Sequence, residues 1–234
     1  MISKIKNIYI VHGWATSTDK WKPLVKGLKE KGLQPVLLKV PGLTEKIEKP
    51  WTIEDYVQWL KEITDKEKGK IALIGHSNGG RISIAFAIKY PEKLSHLVLI
   101  DSAGIYHNEI SLKIKRFIFG KLAKIGKKIT SSEKIKNVLY KIVREHDYKN
   151  ASSEMKKTMV NLINSDQFLD INKVKVPTII IWGKRDNITP LSDGKKINAL
   201  IKDSKFYVIS SAKHSPQFTN SDEVTNKILN DLNL

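Results

Sequence analysis

The chain has 234 residues, 41% of them hydrophobic and 28% charged, which are the proportions of a soluble globular protein of one large or two small domains. It has no cysteine, which excludes disulfides, a thiolate nucleophile and thiolate metal sites. Its 41 basic residues against 24 acidic ones give a net charge of +17 that favours anionic partners, yet no zinc module, RNA-recognition motif or helix-turn-helix signature accompanies the charge, so no specific nucleic-acid partner is expected.

In chain order, Met1 to Lys6 holds no apolar stretch of signal-peptide length, and no run approaches the ~20 residues of a spanning helix. A cytoplasmic location is the expectation. Ile8 to Val11 reads as a strand. A helix follows from near Ser17 or Asp19 to Lys31, with Gly32 as its stop signal. Pro35 to Val40 is a second strand. Thr52, with Asp55 three residues on, opens a helix whose stripe of Tyr56, Val57, Trp59, Leu60 and Ile63 recurs at helical spacing. Lys70 to Ile74 is a third strand, followed by a helix to Tyr90, and Leu97 to Ile100 is a fourth. Strands alternating with helices imply a parallel sheet with helices on both faces.

The rhythm then breaks. Residues 105–170 carry no strand signal and several helical stretches, which reads as a helical cap inserted in a core made of residues 1–104 and 171–234. Within the insertion, Leu112 to Lys128 has seven basic residues and no acidic one, with Ile114, Phe117, Ile118, Leu122 and Ile125 at three-to-four spacing. That amphipathic stretch carries two readings: a lid helix packing its apolar face on the core, or a surface making weak contact with anionic membrane. The alternation resumes with a strand over Thr178 to Trp182, a helix from Leu191 to Ile201, a strand over Lys205 to Ile209 and a final helix capped by Ser221-Asp222.

Three polar groups stand just past strand ends. Gly75-His76-Ser77-Asn78-Gly79 is a G-x-S-x-G pattern between a strand and a helix, the setting that holds a serine on a tight, exposed elbow. Asp186 follows the fifth strand and His214 the sixth. If the strands are parallel, all three emerge at the same edge of the sheet, where open α/β sheets place their sites. Asp101, which ends the fourth strand, is a second candidate for the acid. His12 and His76 flank the site, His96 lies at the far edge, and His107 and His146 fall in the insertion. Arg81 reads as an ion-pair residue, and Trp21 and Trp59 as core aromatics. No phosphate-binding or dinucleotide-binding fingerprint and no clustered ligand set is present, so neither a cofactor nor a metal is expected.

With Val11-His12-Gly13-Trp14, the Gly75–Gly80 elbow, Asp101-Ser102-Ala103-Gly104, Trp182-Gly183-Lys184-Arg185-Asp186 and His214 in place, the chain resembles the α/β-hydrolase superfamily over nearly its whole length. It looks like the small soluble members with a helical cap: carboxylesterases, carbon–carbon bond hydrolases and their relatives. The resemblance implies an α/β-hydrolase fold of about six mainly parallel strands with helices on both faces. It also implies a catalytic triad of Ser77 as nucleophile, His214 as base and Asp186 as the acid that orients the imidazole. The oxyanion-hole donors would be the backbone N–H groups of Trp14 and Asn78. Serine at the elbow departs from the haloalkane dehalogenases and epoxide hydrolases, which place an aspartate there. The expected activity is hydrolysis of carboxylic esters on a small-molecule acyl substrate through an acyl-enzyme. The alternatives are a carbon–carbon bond or amide hydrolase with the same triad, and a non-catalytic ligand receptor on the same fold.

Overall fold

The computed structural model describes residues 7–14, 18–107 and 152–232. Six strands, β1 (Asn7–Val11), β2 (Gln34–Leu37), β3 (Ile71–His76), β4 (Leu94–Ile100), β5 (Thr178–Gly183) and β6 (Ser204–Ile209), form one sheet in the order β2-β1-β3-β4-β5-β6. Every pairing is parallel, with registers such as Ile10 opposite Ile74, Gly75 opposite Leu99 and Ile180 opposite Phe206. The helices are α1 (Lys22–Glu30), α2 (Ile53–Thr64), α3 (Asn78–Lys89), α4 (Ser153–Ser165), α5 (Leu191–Leu200), α6 (Pro216–Thr219) and α7 (Ser221–Asp231).

Strands buried at every position, as β3 and β5 are, must be covered on both faces, and the two faces divide by residue parity. Ile8, Ile10, Ile74, Val98, Ile100, Ile179 and Ile181 face Leu24 and Leu28 of α1 and Val224 and Ile228 of α7. Tyr9, Val11, Leu73, Leu97, Leu99, Ile180 and Trp182 face Tyr56, Val57 and Leu60 of α2, Ile82 and Phe86 of α3 and Ile197 of α5. The edge strands differ. In β2 only one residue of four is buried, and Pro35, which lacks an N–H, is tolerated because its strand has a single neighbour.

The strands run longer or shorter than the hydrophobic runs suggest. β4 begins three residues before Leu97, and β3 continues through Gly75 and His76. β2 stops at Leu37 although the apolar run continues. Past it, the Leu38 N–H still donates to Ile10 O (3.0 Å), but the Val40 N–H turns to the Thr44 hydroxyl (2.9 Å) and leaves the sheet.

Helix ends follow the local chemistry. At the end of α1 the Gly32 N–H donates to Lys29 O (2.9 Å) and the Leu33 N–H to Leu28 O (3.3 Å), with Gly32 at φ 80° as a left-handed stop. At the start of α2 the Thr52 hydroxyl accepts from the Asp55 N–H (3.3 Å), and the Asp55 carboxylate accepts from the Thr52 N–H (2.7 Å). Because Thr52 is exposed, its side chain serves the cap alone. Thr52→Ala is expected to lower stability by about 1 kcal/mol in urea titration, while Thr52→Ser holds near wild type. The final helix departs from expectation: Asn220, not Ser221, occupies the capping position, without a side-chain capping bond, because the short α6 delivers the chain there already turning.

Of residues 105–170, the described part holds α4 and no strand. α4 is pinned to the entry of α2: the Thr158 hydroxyl accepts from the Trp51 N–H (2.9 Å), and the Asn161 amide donates to Trp51 O (3.0 Å). The basic stretch from Leu112 to Lys128, and His146, lie outside the described residues. Among the described residues no helix is long and apolar enough to cross a membrane.

Candidate active site

The strand order reverses between β1 and β3: β2 lies on one side of β1 and every later strand on the other. Side chains beyond the carboxyl ends of strands flanking such a point converge on a common crevice. His12-Gly13-Trp14 leaves β1 there and Ser77 leaves β3.

Ser77 sits at φ 54° and ψ −120°, a backbone region that residues with a Cβ rarely occupy. Main-chain bonds hold it in place. The Ser77 N–H donates to Ile100 O (3.1 Å), and Ser77 O accepts from the N–H groups of Gly80 (2.9 Å) and Ala103 (2.9 Å). The turn after β1 presses on this elbow so closely that a Cβ on Gly13 would stand 2.9 Å from Ser77 Cβ.

His214 joins Ser77 to Asp186. Its Nε2 lies 3.0 Å from Ser77 Oγ and its Nδ1 2.7 Å from Asp186 Oδ2. With Nδ1 as the donor to the carboxylate, Nε2 is left as the acceptor facing the serine hydroxyl. The Asp186 side chain is wholly buried, and its Oδ1 accepts from the N–H groups of Ile188 (2.8 Å) and Thr189 (3.1 Å). The Thr189 hydroxyl is 2.8 Å from Asp186 Oδ2, 3.1 Å from Asp101 O and 3.2 Å from His214 Nδ1. Sequence reasoning passed over Thr189. The signal was the Asp-x-x-Thr spacing of Asp186 and Thr189, in which a side chain closes a turn on its own backbone.

The other singled-out residues divide as follows. Asp101 is buried at the end of β4; its Oδ1 accepts from the Gly183 N–H (2.8 Å), and Asp186 takes the place beside His214 Nδ1. His76, Asp101 and His214 bring one ligand-type atom each within 4.8 Å of one another, but both His214 nitrogens are already engaged by Asp186 and Ser77. The His76 ring lies 5.1 Å from that of His214 and edge-on to Trp21. His12 braces the first turn: Nδ1 lies 2.8 Å from Gly13 O and Nε2 3.1 Å from the Thr44 hydroxyl, and burial holds its imidazole below the ordinary value. His96 lies in β4 toward the opposite edge, its pKa also lowered by burial. His107 meets Asp193 of α5 at 2.8 Å, and burial raises that carboxyl.

Arg81 forms the expected ion pair, and it is buried: Nε and Nη2 bind the two Asp166 oxygens at 2.6 and 2.9 Å, and Nη1 donates to Asn78 Oδ1. The first turn of α3 is thereby tied to the chain just after α4. The Asn78 N–H opens α3 and so has no acceptor within the helix. The positive end of the helix dipole points at the same place. Trp21 is buried and Trp59 half-buried on the core. A separate cavity of about 350 Å³ opens between α2, the end of α3 and residues 165–173, and none of the three relay residues lines it.

A serine hydroxyl, an imidazole and a buried carboxylate in one hydrogen-bonded row can lower the cost of removing a proton from the serine and return it to a leaving group. Comparison with known proteins bears on the fold. Residues 6–123 match the family described as alpha/beta hydrolase fold. The chain is 27% identical to a 2-hydroxy-6-oxo-2,4-heptadienoate hydrolase of Pseudomonas putida over 69% of its own length, and spans 63% of that relative. It is 27% identical to a pimeloyl-[acyl-carrier protein] methyl ester esterase of Wigglesworthia glossinidia brevipalpis, over 90% of this chain and 87% of that one. Among solved structures, a thermophilic esterase from Thermogutta terrifontis superposes with a TM-score of 0.75 at 21% identity, over 97% of this chain and 89% of the other.

Proposed function

This chain belongs to the α/β-hydrolase fold family, and from that premise we propose that it is a serine hydrolase cleaving carboxylic esters through an acyl-enzyme on Ser77. The observation that carries the reading is the unbroken row from Asp186 Oδ2 through His214 to Ser77 Oγ, at 2.7 and 3.0 Å. His214 takes the Ser77 proton as Oγ bonds to the substrate carbonyl carbon. The carbonyl oxygen becomes an oxyanion, which the backbone N–H groups of Trp14 and Asn78 receive. His214 then gives its proton to the departing alkoxide, and the acyl group remains on Ser77. A water enters and bonds to the acyl carbon as His214 takes its proton, and the tetrahedral adduct collapses as His214 returns that proton to Ser77 Oγ, releasing the free acid. Asp186 holds the imidazole in the required tautomer and stabilises its cationic form.

A second reading keeps the triad and changes the bond. The likeness to a hydrolase of a 2-hydroxy-6-oxo-dienoate favours carbon–carbon cleavage of a vinylogous diketone. The test is parallel assay of p-nitrophenyl esters of increasing acyl length and of such a diketone. A burst of p-nitrophenol equal to the enzyme, followed by turnover, is the expected result. Cleavage of the diketone without ester turnover would replace the first reading by the second, and tight binding of either without turnover would leave a receptor.

A further inference from the structure

Asp101 takes no part in the relay above, yet it stands directly behind it. It directly follows β4 at φ 42°, fully buried. Its Oδ1 is satisfied by the Gly183 N–H at 2.8 Å, whereas its Oδ2 is buried without a hydrogen-bond partner. The titratable groups that face it come from four elements. His76 ends β3, His214 follows β6, and Asp186 follows β5, with Asp193 of α5 beyond it. A carboxylate in that position would be a second anion beside Asp186 with half of its acceptor capacity unmet, which is costly in a dry interior. Burial first, and then the Asp186 charge, raise the Asp101 carboxyl well above the usual carboxylate range, and the nearby N–H groups of Gly183 and Ser215 offset only part of this.

We propose that Asp101 is a positioning residue: a neutral carboxylic acid that carries its proton on Oδ2 and directs it to Asp186, so that an acid and a carboxylate together serve His214. The proposal rests on the reading of Ser77, His214 and Asp186 given above. Two carboxyls that interact in a dry interior share one proton rather than ionising twice. The donated hydrogen bond draws charge from Asp186 and so weakens its hold on the imidazolium. If Asp186 is neutralised, Asp101 loses its repeller, gives up its proton and becomes the anion of the site, since one of its oxygens already lies within 4.8 Å of a His214 nitrogen.

The experiment follows the rate of fluorophosphonate adduct formation on Ser77 against pH, because only the neutral imidazole can take the serine proton and the acid limb therefore reports His214. Asp101→Ala removes the donor to Asp186, and the limb should move up by about half to one pH unit. Asp101→Asn keeps a neutral donor in the same place and should return the limb to its wild-type position. A limb that falls in both variants would mean that Asp101 is ionised in the wild type. A limb unmoved in both, or raised equally in both, would mean that no donated hydrogen bond is at work; each of these outcomes overturns the proposal. Should Asp101→Ala fail to fold, Asp186→Asn is compared with the double variant Asp101→Asn, Asp186→Asn. The single variant should label about tenfold faster or more, and equal rates overturn the proposal. A folded wild type that takes no label would instead sink the assignment of Ser77.

Discussion

Ser77→Ala is expected to take no fluorophosphonate adduct in intact-mass measurement and to lose about 10⁴-fold or more in ester turnover, with its melting temperature near that of the wild type. The size of the loss follows from the row of hydrogen bonds. Removing Oγ leaves His214 Nε2 with no hydroxyl at 3.0 Å to activate, so the covalent route disappears. The residual rate would come from water attacking a carbonyl polarised by main-chain donors. Folding should survive because the bonds that hold the elbow use the Ser77 N–H and carbonyl, which alanine keeps. Turnover retained by a folded, unlabelled variant would place the nucleophile elsewhere.

Gly79→Ala is expected to be strongly destabilising, costing about 4 kcal/mol or more, read as a large fall in urea midpoint or as failure to fold. A Cβ there would stand 2.0 Å from Val11 O and 2.7 Å from His12 O, both main-chain atoms at the end of β1. Main chain cannot swing aside as a side-chain tip can, so either α3 or β1 must shift, and with it the contact between the Gly13 turn and the Ser77 elbow. The second glycine of the G-x-S-x-G pattern is thus explained by helix-to-strand approach. Gly69→Ala is the control. No atom lies within 4 Å of its Cβ position, and it should change stability by less than about 0.5 kcal/mol.

What the sequence made legible is what strand ends and spacing encode. Ser77, Asp186 and His214 could be paired on paper because each follows an apolar run and parallel strands carry all three to one edge. The capping box at Thr52 and the glycine stop at Gly32 were equally local, and both formed as read. Long-range polar pairing was not legible. Arg81 read as an ion-pair residue, but nothing in the pattern named Asp166, 85 positions on, as its partner. Whether Asp101 or Asp186 meets the imidazole depends on which loop reaches it, and loop reach has no period. The four-residue α6 was too short to leave a periodic trace, and the early end of β2 reflects a turn that competes for the Val40 N–H.

The hydrogen bond between His214 and Ser77 joins groups 137 residues apart, across a sheet in which no two neighbouring strands are joined by a hairpin. Contacts of such separation form late in folding, because chain entropy must be surrendered before they can reward it. A partly folded chain holding only β1 to β4 would already bear Ser77 and the glycine turn, and would still lack His214 and Asp186. On the proposed reading, reactivity at Ser77 arrives only with closure of the last strands, and recovery of labelling during refolding becomes a clock for completion of the native sheet.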